Sequence, residues 1–393
     1  MTHGGHAAGG PAGESPAAGN DATREGASPD AVTGVVPGAA TGTPGTTRIL
    51  AGDDPASVAE AAAAIRAGEP VAFPTETVYG LGADALDPSA VARVFELKAR
   101  PRFDPIIVHL ADAADLPRYA IHEDASDPRV AALAARFWPG PLTLVLRRRE
   151  VVPGIVTAGL DTVALRVPAH PVALALIRES GRPIAAPSAN PFGRVSPTRA
   201  EHVVRQLGGR VRIILDGGPC AVGVESTVLF LARGRAVLLR PGGLPVEEIE
   251  ATIGPVDRLD DDAPEATALS PGRQASHYAP GARVQLIDPW PGPDLAVASG
   301  ERVGVLAFDD AGRRAAEFAA GGPFAAESAA GRPFAAVEVL SHGGDPTEAA
   351  AHLFDALHRL DAASLDRIVA QPVPETGLGR AVMDRLRRAA ARG

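Results

Sequence analysis

Between residues 49 and 253 the chain alternates short apolar runs with amphipathic stretches of helical spacing. Strand-length apolar runs fall at 70–73, 105–110, 142–146, 162–167, 184–186, 211–215, 226–231 and 236–239. Between them the spacing predicts helices at 57–66, 89–98, 128–137, 171–180, 197–207 and 245–253, the first stopped by Gly68. So many strands with interleaved helices predict one α/β domain ending near residue 254. Connection lengths leave open which strands run parallel.

The pattern breaks at three places. Residues 1–47 are Gly, Ala, Pro, Thr and Ser with no apolar periodicity, which predicts a disordered tail, because such a segment buries too little surface to offset its chain entropy. Residues 255–281 are acidic and then carry Pro and Gly, with Asp260-Asp261-Asp262 and Ser270-Pro271-Gly272, and read as a linker. A second, smaller α/β pattern occupies 282–393, with strands at 283–287, 303–308, 336–340 and 367–370 and helices at 347–360 and 378–391. Within it a Gly-x-Pro-Phe-Ala-Ala repeat recurs after ten residues, too short for a solenoid and read as a surface insertion.

Composition narrows the function classes. A net charge of -9 argues against a general nucleic-acid coat, and aromatics at 4% argue against a base-stacking platform. The single cysteine, Cys220, excludes an internal disulfide framework and a multi-cysteine zinc site, and suits a reducing compartment. No apolar run has the length of a membrane span, and residues 1–5 lack the start of a signal peptide, so the cytoplasm is expected. One number changes the picture: of 38 lysines and arginines only Lys98 is lysine, a compact point charge suited to phosphate.

Candidate chemistry clusters at predicted strand ends, where ligands gather in open α/β sheets. The loop 74–82 follows the first predicted strand and offers the hydroxyls of Thr75 and Thr77, while Gly80 and Gly82 would allow a positive-φ turn. Lys98-Ala99-Arg100, with Arg102 close by, could aim cations into one space for a polyphosphate, or could simply serve the helix dipole. Prolines on both sides of Ser188-Ala189-Asn190 predict a rigid extended loop able to donate to phosphate or sugar oxygens. Arg166 and Arg240 each end an apolar strand and must reach solvent or an anion. There is no Walker loop, no Gly-x-Gly-x-x-Gly fingerprint and no His-Glu-x-x-His.

In order, the motifs Pro74-Thr75-Glu76-Thr77-Val78-Tyr79-Gly80-Leu81, Lys98-x-Arg100-Pro101, Ile106-Ile107-Val108-His109, Pro187-Ser188-Ala189-Asn190, Glu225-Ser226-Thr227 and Leu239-Arg240-Pro241-Gly242 resemble the YrdC-like family of threonylcarbamoyl-AMP synthases. Ser270-Pro271-Gly272 and His277-Tyr278 resemble the linker of its two-domain form, with Arg273-Gln274 and Asp104 departing from the usual pattern. The resemblance implies a YrdC-like twisted, open mixed sheet with helices around a concave basic cleft, followed by a small Rossmann-like α/β domain. It implies a nucleotidyltransferase that joins L-threonine, bicarbonate (or CO2) and ATP into threonylcarbamoyl-AMP and pyrophosphate, with Mg2+ accompanying ATP and no confident protein metal ligand. Proteins that transfer the threonylcarbamoyl group to tRNA are the implied partners; direct tRNA binding would be weak, and no membrane is involved. On the ATP side the resemblance places Lys98, Arg100, Arg102, Thr162, Ser188, Asn190, Ser226, Arg240 and Tyr278, with Lys98 and Arg100 catalytic. On the threonine side it places Thr75, His109, Arg166, Ala186 and Ser226, and the linker becomes a possible lid carrying Tyr278. A tRNA- or dsRNA-binding module without turnover is the alternative.

Overall fold

The computed structural model describes residues 46–258, 277–292, 295, 297–320 and 334–391. The expected tail, most of the linker and the Phe-Ala-Ala repeat up to residue 333 lie outside the described residues.

Among the described residues eleven strands join one mixed sheet. In chain order they are β1 (Arg48–Ala51), β2 (Val71–Phe73), β3 (Gly80–Asp84), β4 (Ile107–His109), β5 (Leu142–Arg147), β6 (Thr162–Arg166), β7 (Ile184–Ala185), β8 (Ile213–Asp216), β9 (Thr227–Ala232), β10 (Arg235–Arg240) and β11 (Asp257–Arg258). Across the sheet they run β1-β8-β2-β3-β7-β4-β6-β5-β9-β10-β11. Pairs β1/β8, β8/β2, β4/β6, β5/β9 and β10/β11 are parallel, and the other neighbours are antiparallel. The central strands are buried but for Arg147 at the end of β5, as continuous apolar runs require when both faces of a sheet are covered.

The covering helices are α1 (Pro55–Arg66), α2 (Pro88–Lys98), the short α3 (His122–Ala125), α4 (Pro128–Phe137), α5 (Pro171–Ser180), α6 (Ala200–Leu207) and α7 (Val246–Ile253). A repeated Asp-Pro pair starts three of them. Asp54, Asp87 and Asp127 accept hydrogen bonds from first-turn backbone N–H groups, and the following proline occupies a position whose N–H would be unpaired anyway.

In the second pattern β12 (Arg283–Leu286), β13 (Val303–Ala307), β14 (Ala336–Val339) and β15 (Arg367–Ala370) form a separate parallel sheet in the order β12-β15-β13-β14. It is flanked by α8 (Asp310–Ala319), α9 (Pro346–Ala362) and α10 (Gly379–Ala390). The two sheets are bound by a shared core. Val78, Val195 and Val224 of the first domain, with Tyr278, pack in one apolar cluster with Leu353, Phe354, Val382 and Leu386 of the second.

Three sequence expectations change. Gly80 and Gly82 do not make a turn; they lie on β3, and neither has positive φ. Glycine is needed at position 82 for space, since a Cβ would stand 2.5 Å from Ile184 Cγ2 and 2.6 Å from Phe73 Cε1. Asp257 and Arg258, read as linker, add a strand beside β10. Helix α8 was not expected, because the segment is polar overall and buries only the small residues Gly312 and Ala316.

Candidate active site

The ends of β4, β6, β7, β9 and β10, together with the β2–β3 connection, close around one polar cleft. Its walls are Thr75, Thr77, Val78 and Gly80, then Ile107, His109 and Arg166, then Ala186, Pro187 and Ser188, then Glu225, Ser226 and Arg240, with Arg100 entering from the turn after α2. His277 and Tyr278 complete the lining.

Sheet register explains one end. His109 and Arg166 are direct partners on the parallel pair β4/β6. The Arg166 guanidinium donates from Nε to the Gly140 carbonyl at 3.1 Å and from Nη1 to Thr77 Oγ1 at 3.0 Å, and Nη2 lies 2.5 Å from Glu76 Oε1. Glu76 is held in turn by the Ala169 backbone N–H at 3.0 Å. Thr75 Oγ1 is already engaged within its loop, donating to the Val78 carbonyl at 2.7 Å and accepting from the Thr77 and Val78 N–H groups. Burial and the nearby Arg166 cation push His109 down to about 3, so its imidazole is neutral. With Nδ1 against the Ile184 carbonyl at 3.3 Å, Nε2 is left as a hydrogen-bond acceptor.

At the other end Arg240 donates from Nη2 to the Ser226 carbonyl at 2.8 Å, and the Ser226 hydroxyl meets Thr143 Oγ1 at 2.8 Å. Arg100 is paired with Asp104 at 2.9 Å and also donates to the Pro105 carbonyl at 2.9 Å. Burial lowers both arginines from their ordinary value, and burial raises Asp104. Arg166 on β6 and Ser226 at the start of β9 are separated by β5, roughly 10 Å or two strand spacings.

Four residues expected in the site lie outside the cleft lining. Lys98 is 1% exposed, and its Nζ donates to the Ser188 carbonyl at 2.6 Å and to that of Asn190. Lys98 is the last helical residue of α2 and reaches the Ser188–Asn190 loop from there, while the left-handed Ala99 (φ 50°) after it redirects the chain at Arg100. Burial, reinforced by Arg100, holds its amine well below the ordinary lysine value. Asn190 is spent on its own loop, its Nδ2 donating to the carbonyls of Pro191 and Arg194 at 2.8 and 3.0 Å. Arg102 is exposed on the turn that folds Arg100 inward. Thr162 pairs with Arg147 at the far end of β6, four residues and roughly 13 Å from Arg166. The remaining expected residues, Thr75, Arg100, His109, Arg166, Ala186, Ser188, Ser226, Arg240 and Tyr278, all line the cleft.

Thr77, whose hydroxyl the sequence offered, also lines it, as do Glu225 and His277, of which only the motifs stood out in the sequence. Among the described residues no three His, Cys, Asp or Glu side chains are grouped to hold a metal ion, and no helix is long and apolar enough to cross a membrane.

Fold and cleft together define a two-domain α/β protein whose larger, mixed-sheet domain carries an arginine-lined site at its strand ends. The Sua5/YciO/YrdC family model, described as "Telomere recombination", matches residues 63–242, and the threonylcarbamoyl-AMP synthase C-terminal domain matches residues 244–391. The threonylcarbamoyl-AMP synthase of Pyrococcus abyssi is 47% identical over 339 residues, covering 84% of this chain and 92% of that protein. That of Bacillus subtilis is 46% identical over 353 residues, covering 87% and 94%. The crystal structure of P. abyssi Sua5 complexed with L-threonine superposes with a TM-score of 0.73 at 42% identity, covering 86% of this chain and 95% of that one. The chain belongs to the threonylcarbamoyl-AMP synthase family.

Proposed function

We propose that the cleft joins L-threonine, bicarbonate or CO2 and ATP into threonylcarbamoyl-AMP and pyrophosphate, a nucleotidyl transfer that supplies the activated group for a tRNA adenosine. The observation that carries this reading is the presence of two cationic ends in one cleft, Arg166 at one and Arg100 with Arg240 at the other. One substrate with a carboxylate and one with a polyphosphate need two such ends.

At the first end Arg166 faces the threonine carboxylate, and the neutral His109 accepts from the threonine hydroxyl or amine. Ala186 leaves room for the side-chain methyl. The threonine amine adds to CO2 and gives up a proton, forming a carbamate. A carbamate oxygen then attacks the α-phosphorus of ATP, the bond to the β-phosphate oxygen breaks, and pyrophosphate leaves. Arg100, Arg240 and the Ser188 and Ser226 hydroxyls stabilise charge on the phosphates, and the buried site strengthens each contact. Tyr278 over the cleft limits water, which would hydrolyse the product. No covalent nucleophile is required; positioning and electrostatics carry the rate.

Glu76 and Glu225 are each committed to an arginine, so among the described residues the cleft offers no free carboxylate pair for a cation. Magnesium is therefore assigned to the incoming ATP complex, and no step is routed through it. Lys98 acts by bracing the Ser188–Asn190 loop.

The test is pyrophosphate release from ATP with threonine or bicarbonate omitted in turn. Release that requires both supports the reading. Release indifferent to threonine refutes it, and salt-sensitive tRNA binding without any turnover would favour the RNA-binding alternative.

A further inference from the structure

The nucleotide end of the cleft is held from behind by the other domain. Helix α10 buries Val382, Leu386 and Ala389, and Arg385 stands on that same face with its side chain 0% exposed. Its guanidinium crosses to the first domain. Nε donates to Glu225 Oε2 at 3.0 Å, and Nη1 donates to the Pro241 carbonyl at 2.6 Å and to Asp384 Oδ2 at 2.9 Å. Its Cζ lies 5.4 Å from the centroid of the Tyr278 ring. The second oxygen of Glu225 accepts from Ser196 Oγ at 2.6 Å.

Each group that Arg385 touches in the first domain or the linker borders the cleft. Glu225 precedes Ser226, Pro241 follows Arg240, and Tyr278 forms part of the lining. Gly242 tightens the connection, because a Cβ there would meet Ser226 C at 2.3 Å and Glu225 O at 2.4 Å. Glu225 is itself a buried cleft residue. A buried carboxylate left unheld would repel a polyphosphate and compete for Arg240 and Arg100. Burial alone would lower the Arg385 guanidinium, but Tyr278, Glu225 and Asp384 outweigh it and hold it above its ordinary value, so the charge is secure.

We propose that Arg385 is a positioning residue for ATP, through which the C-terminal domain fixes Glu225, the Pro241 backbone and Tyr278 and keeps the Glu225 charge away from the cations that meet the triphosphate. The inference rests on the cleft being the ATP–threonine site. Arg385 touches none of the residues at the threonine end, so its effect divides between the two substrates. A merely structural role would not divide in this way.

The experiment uses the full chain and begins with the unaltered protein, whose threonine-dependent pyrophosphate release tests the underlying reading separately. In Arg385→Gln the KM for ATP should rise about tenfold or more, equivalent to about 1.4 kcal/mol, while calorimetric L-threonine affinity stays within about twofold. Adding Glu225→Gln should recover at least about threefold of the lost ATP KM, because the unpaired charge is then gone. A threonine affinity that falls in step with ATP, or a second substitution that multiplies the loss, overturns the proposal. If Arg385→Gln cannot be purified folded, Arg385→Lys serves: it keeps the charge but has one nitrogen in place of the Nε and Nη1 that reach Glu225 and Pro241. ATP KM in that variant should still rise several-fold, about threefold or more, and an unchanged value overturns the proposal.

Discussion

Replacing Lys98 with methionine separates two accounts of the chain's only lysine, because methionine keeps most of the stem and deletes the amine. The structure gives Nζ two acceptors, the carbonyls of Ser188 and Asn190, in a site with 1% exposure. The Ser188 carbonyl keeps the Asn190 N–H as a donor at 3.0 Å, so only the Asn190 carbonyl is orphaned, a gross loss of about 1–3 kcal/mol. Part of it is offset, since burial already disfavours the charged amine that the substitution removes. A net destabilisation of about 1–2 kcal/mol is expected, read as a lower urea midpoint. Ser188 lines the cleft, so a slackened loop should also lower kcat/KM for ATP by about 10- to 100-fold. Urea unfolding and pyrophosphate release on the same preparation are the assays. A variant that unfolds at the parent's midpoint yet has lost ATP turnover would refute the bracing role and return Lys98 to the phosphates.

Arg166→Met leaves the Glu76 carboxylate buried without its partner, at a cost of about 3–5 kcal/mol, and should abolish the calorimetric signal of L-threonine; persistent threonine binding would count against Arg166 as the carboxylate fork. His109 stays neutral in the fold down to about pH 3, whereas the unfolded imidazole protonates near 6.5. The unfolded chain therefore binds more protons between those values, and stability falls as the pH drops, by up to about 1.4 kcal/mol per unit from this group. His109→Gln should flatten the slope of urea stability against pH in that window, and an unchanged slope would contradict the assignment. Arg102→Ala removes an exposed cation outside the cleft lining and should leave ATP KM within about twofold; a tenfold rise would place Arg102 back in the site.

The elements that build the cleft were legible where apolar runs end in a charge. Arg166 and Arg240 stand at strand ends in the sequence and at the cleft in the fold, because an arginine leaving a buried strand has few other outlets. Gly80-Leu81-Gly82 misled because glycine signals either positive φ or close packing, and only the positions of Phe73 and Ile184 decide between them. At the end of α2 Lys98 and Arg100 are plain in the sequence, but not the left-handed Ala99 between them, after which Arg100 enters the cleft while Lys98, still on the helix, reaches the Ser188–Asn190 loop. Asn190 and Thr162 lie outside the cleft lining, and the sequence did not show this: a polar residue in a loop or strand says nothing of which groups claim its side chain or which end of the strand meets the cleft. Arg385 was hidden among Arg380, Arg387 and Arg388 in a helix rich in charge. A signal existed, since Arg385 falls three residues after Val382 and four before Ala389, on the apolar face.

The most direct measurement is the mass of the nucleotide product formed from ATP, L-threonine and 13C-bicarbonate. The account predicts threonylcarbamoyl-AMP carrying the heavy carbon, in amounts equal to the pyrophosphate released. Pyrophosphate accompanied by AMP with no labelled adenylate at early times, or by ADP and phosphate, would contradict it.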